Sequence, residues 1–405
     1  MREKKLVFPK GFLWGSAVSA HQTEGNNIYS DWWEWENSQR RAGELEALPQ
    51  DPSLFRSGAA CDFYHRYEQD FDLVSALHQN AFRLSLEWAR MEPKQGFYDE
   101  QAWDHYRKVL QSLKKRNVKT FVTLHHFTLP AWFAHQGGFE RAENTGKFVN
   151  FAQTAAQKLG EDVDFWLTIN EPEIYSSHAY LFGRYPPQKK SWAAMYRVVK
   201  NLIWAHNQAV RAIKQVSSKP VGMSYHRIDL LPRSIFSKFL RDLVHYVNNE
   251  YILRRTINAC DFVGINYYGH SHIGFFGRHA HTQEHHEVND LGWGIHPEGL
   301  ERVLVGLKKY HKPIYVTENG LADAKDEKRE RFIRDHLYYV HRAMERGADV
   351  RGYLHWSLLD NFEWAHGFSP RFGLVQVDYP SQERTIRASA YQYAEICRTN
   401  QLTLP

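Results

Sequence analysis

Eight β-branched and aromatic runs alternate with amphipathic helical stretches along almost the whole chain, and this alternation constrains the fold more than any single motif. The strand-like runs lie at residues 11–19, 81–87 and 118–124, then in a run ending at Glu171, at 221–225 and 261–266, in a run ending at Glu318, and at 350–356. Helical spacing covers 61–79, 103–116, 147–159, 192–216, about 237–259, 297–310 and 326–346, and 388–397 closes the chain. In the first of these, Phe63, Tyr67, Phe71, Val74 and Leu77 recur at helical intervals. The pattern predicts an α/β protein, one (β/α)8 TIM barrel over residues 1–405, with its site at the C-terminal ends of the strands. A doubly wound open sheet is the alternative, but no Gly-x-Gly-x-x-Gly or phosphate loop follows an early strand.

The 405 residues could hold two or three average domains, yet no Pro/Ser-rich linker, low-complexity tract or longer repeat divides them. The hydrophobic share of 43% supports one large core, and the aromatic share of 15% is high enough to supply stacking surfaces as well. The net charge of +5 is spread without blocks, which gives nucleic-acid binding no support. Cys61, Cys260 and Cys397 are too few and too scattered for a disulfide framework or a thiolate metal site, and Cys61 and Cys260, in or beside expected helices and strands, are expected to be buried thiols. The opening Met1-Arg2-Glu3-Lys4-Lys5-Leu6-Val7 carries charge but no apolar segment, and no run is long enough to span a membrane. A cytoplasmic protein is expected, and the sequence leaves a homo-oligomer open.

Two of the strand-like runs end in glutamate with matching polar neighbours. Val163-Asp164-Phe165-Trp166-Leu167-Thr168-Ile169-Asn170-Glu171-Pro172 is one, and Pro313-Ile314-Tyr315-Val316-Thr317-Glu318-Asn319-Gly320 is the other. Two carboxyl groups brought together at one barrel mouth can cleave a glycosidic bond, one as acid and one as nucleophile. Other polar and aromatic residues fall at successive strand ends: Gln22 and Glu24, Arg83, His125 and His126, Asn170, Asn266 and Tyr268, then Trp356, Glu363 and Trp364. Amides, an imidazole, a carboxylate and indoles together would make a hydrogen-bonding cup with a stacking floor, suited to a neutral sugar. Taken singly, Arg83 reads equally well as a core ion pair, Asn266 as a turn residue and Trp356 as packing.

Five motifs carry a family resemblance: Gln22-Thr23-Glu24-Gly25, Thr168-Ile169-Asn170-Glu171-Pro172, Gly264-Ile265-Asn266-Tyr267-Tyr268, Val316-Thr317-Glu318-Asn319-Gly320, and the run from Trp356 to Trp364. Their order and content resemble the glycoside hydrolase family 1 β-glycosidases, from about Phe8 to the last helix. The resemblance implies that Glu171 is the acid/base and Glu318 the nucleophile of a retaining double displacement. It implies that Gln22, His126, Asn170, Glu363 and Trp364 bind the sugar hydroxyls over Trp356, while Arg83, Asn266 and Tyr268 hold and tune Glu318. Terminal β-D-glucosyl residues would be the substrate, with fucosides and galactosides secondary, and no cofactor is implied. The chain departs from the family at His126-Phe127-Thr128-Leu129-Pro130, where His-Trp-Asp-Leu-Pro is usual, so a phenyl ring replaces an indole N–H donor. It also looks short for the family, as though loops around the aglycone entrance were trimmed.

Rival readings are weaker. Similar 6-phospho-β-glycosidases carry Ser in place of Glu363, then Lys and Tyr where this chain has Pro370 and Phe372, and a carboxylate there would repel a phosphate. A non-catalytic carbohydrate-binding protein would lack one of the two glutamates. The His-rich segment 279–286 has no helical ligand spacing, so no metal is expected and a solvated loop is the plainer reading.

Overall fold

The computed structural model describes residues 4–274, 277–279 and 287–404. Its centre is a closed ring of eight parallel strands, in chain order: β1 (Leu13–Ala17), β2 (Ala81–Ser85), β3 (Lys119–His125), β4 (Phe165–Asn170), β5 (Val221–Pro232), β6 (Phe262–Gly274), β7 (Ile314–Asn319) and β8 (Val350–Trp356). Each pairs with the next, and β8 pairs with β1 to close the ring. This is a single (β/α)8 barrel, as the alternation predicted, not an open sheet. An antiparallel pair, Lys4–Val7 with Gln401–Leu404, ties the two ends of the described chain together.

The helices form where an apolar stripe meets a good start signal. Helix Glu100–Lys115 begins at Asp99, whose carboxylate accepts from the Gln101 and Ala102 amides, and ends on Lys114 and Lys115, which favour a helix C-terminus. It buries Trp103, Tyr106, Leu110 and Leu113 against the barrel. Helix Trp192–Val216 covers the span its periodicity predicted. The expected helix over 237–259 is instead broken: Lys238–His245, a π turn at Tyr246–Glu250, and Leu253–Thr256. Strands β5 and β6 also outrun their expected ends at 225 and 266, because they continue to pair as a ribbon as far as Pro232 and Ile273.

Inside the ring the side chains form layers. Ala81, Phe121, Leu167, Phe262, Tyr315 and Leu354 fill the end where the strands begin. Arg83, Thr123, Asn266 and Thr317 come next, joined by hydrogen bonds. Strict alternation then fails in three strands: Leu167 to Asn170, Thr123 to His126 and Tyr315 to Glu318 are each three residues apart, yet the upper member of each pair also reaches the polar centre. Register shifts lie between Leu167 and Asn170 on β4 and between Ile265 and Asn266 opposite Glu318. Such irregularities at a barrel rim re-aim side chains.

Candidate active site

Glu171 and Glu318 lie at the C-terminal ends of β4 and β7 and are both buried. Glu171 takes φ +41° and ψ +61°, a left-handed conformation that a residue with a Cβ adopts only when its surroundings hold it. Pro172 follows as the first residue of helix Pro172–Tyr180. After Glu318 and Asn319 the chain needs Gly320, since a Cβ there would stand 1.7 Å from the Trp356 carbonyl oxygen.

One guanidinium organises the centre. Arg83 donates to Glu318 Oε1, to Asn170 Oδ1 at 2.6 Å, to Thr123 Oγ1 at 3.1 Å and to the Thr317 carbonyl at 3.2 Å. Arginine only donates, so the Asn170 atom facing it must be the carbonyl oxygen. The Asn170 amide nitrogen therefore donates to His126 Nε2 at 3.1 Å, leaving the His126 proton on Nδ1. Burial, with the charge of Arg83 adding to it, holds the His126 pKa well below the usual imidazole range. Asn266 donates to Asn170 at 3.0 Å and to Glu171 Oε1 at 2.8 Å, and its own oxygen accepts from Thr317 at 2.7 Å. Tyr268 donates to Glu318 Oε2 at 2.7 Å.

Both oxygens of Glu318 thus accept from donors, while Glu171 has a bonded Oε1 and, among the described residues, no partner at Oε2. Burial pushes Glu318 up to about 7, and the charge of Glu171 adds to this while Arg83 and Tyr268 oppose it. Glu171 goes the other way: burial raises it, but His226 and Asn266 more than offset that. The negative charge of Glu318 would by itself raise Glu171, but His226 Nδ1 stands 3.5 Å from Glu171 Oε1 and opposes it. The two carboxyls titrate as a pair. The hydrogen bonds decide where a shared proton sits: protonating Glu318 would cost it a donor-only arginine or the tyrosine, whereas Glu171 Oε2 can take the proton without losing a bond.

A second cluster forms the rim. Gln22 donates to the Phe362 carbonyl at 2.8 Å, to Asn361 at 3.0 Å and, at 3.5 Å, to Glu363 Oε2. Burial pushes Glu363 up to about 8, with Glu318 and Glu171 adding and the Gln22 bond opposing. The His126 ring lies nearly parallel to Trp356 and Trp364, with centroids 6.0 and 5.9 Å away. Phe127 packs against Trp364 and Tyr185, so the phenyl ring that replaces the usual indole fills space in the wall.

Two residues expected at the mouth are elsewhere. His125 packs its ring against Phe139, Phe148 and Tyr175, among residues of the covering helices. Glu24 is buried in a structural cluster, accepting from Arg90 and from Tyr106 at 2.8 Å each. His226 is the residue that sequence reasoning missed. Strand five was expected to stop at Tyr225, and only its continuation brings the next side chain beside Glu171. Cys61, Cys260 and Cys397 are buried free thiols. Among the described residues no group of His, Cys, Asp and Glu is arranged to hold a metal ion, and no helix is long and apolar enough to cross a membrane. Residues 280–286 of the His-rich segment lie outside the described residues.

The family model for glycosyl hydrolase family 1 matches residues 4–243 and 238–402. A 1,4-beta-D-glucan glucohydrolase of Thermotoga neapolitana is 29% identical, covering 98% of this chain and 99% of its own length. A beta-galactosidase of Sulfolobus acidocaldarius is 30% identical, with 98% and 96% covered. Among solved structures, a beta-glycosidase from Pyrococcus horikoshii superposes with a TM-score of 0.89 at 36% identity, over 98% of this chain and 96% of that one. The alignments to the first two run over 453 and 475 positions, against the 405 residues here, so those relatives carry segments this shorter chain lacks. The chain belongs to glycosyl hydrolase family 1, as a glycoside hydrolase on a single (β/α)8 barrel.

Proposed function

We propose that the protein hydrolyses terminal β-D-glucosides with net retention, Glu318 acting as nucleophile and Glu171 as acid and then base. The observation that carries this is the unequal hydrogen bonding of two buried carboxyls at one barrel mouth. Glu318, held by Arg83 and Tyr268, is arranged to be charged, and Glu171 has an oxygen that no described residue bonds, open to the proton. In the first step a Glu318 oxygen attacks the anomeric carbon while Glu171 protonates the leaving oxygen. The glycosyl ester so formed removes the charge of Glu318, and Glu171 then takes a proton from the water that attacks the same carbon and frees Glu318. Retention by this route needs the two carboxyl groups about 5–5.5 Å apart.

Gln22, His126, Asn170, Glu363 and Trp364 bind the sugar hydroxyls in this reading, over the face of Trp356. Arg83, Asn266 and Tyr268 position the two carboxyls. His226 joins them as a positioning residue for Glu171. The relatives include a glucan glucohydrolase and a beta-galactosidase, which supports a neutral hexoside as substrate, glucosides first and galactosides or fucosides second. Among the described residues the Glu363 carboxyl accepts from Gln22 and from no lysine or arginine, so a phosphate at O6 would meet a carboxyl group without a cation. Leaving such a group unpaired in a buried site costs about 1–3 kcal/mol or more.

A panel of nitrophenyl glycosides, with Glu318→Ala as the blank, tests this. The β-glucoside should turn over fastest and its 6-phosphate should not be accepted. Faster turnover of the 6-phosphoglucoside would overturn the reading of Glu363, and no turnover of any β-glycoside would return the binding-protein alternative.

A further inference from the structure

The segment after β5 leaves the barrel at the end where Glu171 lies, and it carries an apolar stripe that nothing among the described residues covers. Ile235, Phe236 and Phe239 are 81%, 82% and 80% exposed, and Leu243 and Val247 follow at 51% and 54%. Phe239, Leu243 and Val247 are spaced by four residues, so they share one face of the helix Lys238–His245 and the π turn after it, and Phe236 precedes them by three on the 3-10 turn Ile235–Ser237. That helix buries none of its residues. The segment is nonetheless held in place, since Asn249 bonds the backbone of Ile228 on β5 at 2.8 Å.

Its charge is one-sided. Arg233, Lys238 and Arg241 flank the stripe, and Asp242, already 3.0 Å from Arg241, is the one acidic residue between 233 and 247. A short helix with Phe and Leu on one face and Lys and Arg beside it suits the boundary of an anionic bilayer. A second copy fits less well. Two-fold contact through this face would bring like charges together, and a stable interface needs about 800 Å² from each partner, more than five side chains supply.

We propose that residues 234–247 are an interfacial anchor that rests the enzyme on an anionic lipid surface. Co-sedimentation of the full-length protein with phosphatidylglycerol vesicles and with phosphatidylcholine vesicles tests it. The protein should bind the anionic vesicles, and less as salt rises, because screening weakens the cationic contribution. The Phe236→Glu/Phe239→Glu variant should lose binding by about tenfold or more while hydrolysing a soluble nitrophenyl glucoside at the same rate, since its changes are exposed. Lys238→Glu should weaken binding to anionic vesicles alone. Failure of the parent protein to bind, equal binding to both vesicle types, or unchanged binding of the double variant would each overturn the proposal. So would sedimentation velocity showing a dimer that the double variant dissociates, because a second copy would then be the occupant.

Discussion

The two ends of one barrel are built from opposite materials. Where the strands begin, Phe121 stacks on Phe165 with centroids 4.4 Å apart, and Phe262 and Tyr315 close around them within 5.1–6.1 Å of Phe121. Where they end, Glu171 and Glu318 lie buried among Arg83, His126 and amides, with the half-buried Glu363 beside them. The first end gains from every ring it excludes from water; the second holds like charges that burial and mutual repulsion push toward protonation. Stability therefore concentrates at one end and chemistry at the other, and substitutions should separate the two.

The largest effect should come from Glu318→Ala, which should lower kcat by a factor on the order of 10⁴–10⁶ without lowering Tm. On a substrate with a good leaving group, Glu171→Ala should retain part of its activity, and azide should restore turnover to both variants with opposite anomeric products. Equal losses on the activated substrate would break the assignment of roles. At the other end, Phe121→Ala should cost about 3–5 kcal/mol of stability, read by denaturant unfolding, while KM at the distant mouth stays put.

A smaller effect sharpens the contrast. A carboxyl whose folded pKa is raised to about 8 contributes stability below its ordinary pKa of 4.5 and loses it as pH climbs through 8. Glu363→Gln should thus be stabilised relative to the parent by roughly 1–3 kcal/mol at pH 9 and by much less at pH 5, while losing glucoside turnover. Thermal unfolding at the two pH values checks the sign, and a parent that gained stability on the alkaline side would refute it. The smallest effect belongs to His226→Asn. His226 lowers the pKa of Glu171, so its removal should move the alkaline limb of kcat/KM upward with Tm little changed. An unmoved limb would leave His226 as packing.

The same contrast explains what could be read from the sequence. The apolar half was legible because burial imposes period: strand β8 and helix Trp192–Val216 occupy the residues their patterns indicated. The glutamates were legible because Pro172 and Gly320 terminate their strands visibly. The rest depended on departures from period. Tyr315 and Glu318, three apart, cannot share a face of a regular strand, and only the register shift beside Asn266 brings both to the axis. His126 reaches Asn170 at the axis while its neighbour His125, expected beside it, turns away, since a strand end does not announce which of two histidines the twist turns toward the axis. Glu24 joined an ion pair with Arg90, a partner 66 residues away. His226-Arg227-Ile228-Asp229 lies beyond the expected strand end at 225 and is strand, because β6 offers it a partner beyond the barrel.

The central claim is that Glu318 attacks the sugar directly, and proton NMR of the first-formed product tests it without reference to rates. During hydrolysis of a nitrophenyl β-glucoside, the β anomer should appear first and the α anomer only later by mutarotation. First appearance of the α anomer would mean that water, not Glu318, attacks the anomeric carbon, and would contradict the account.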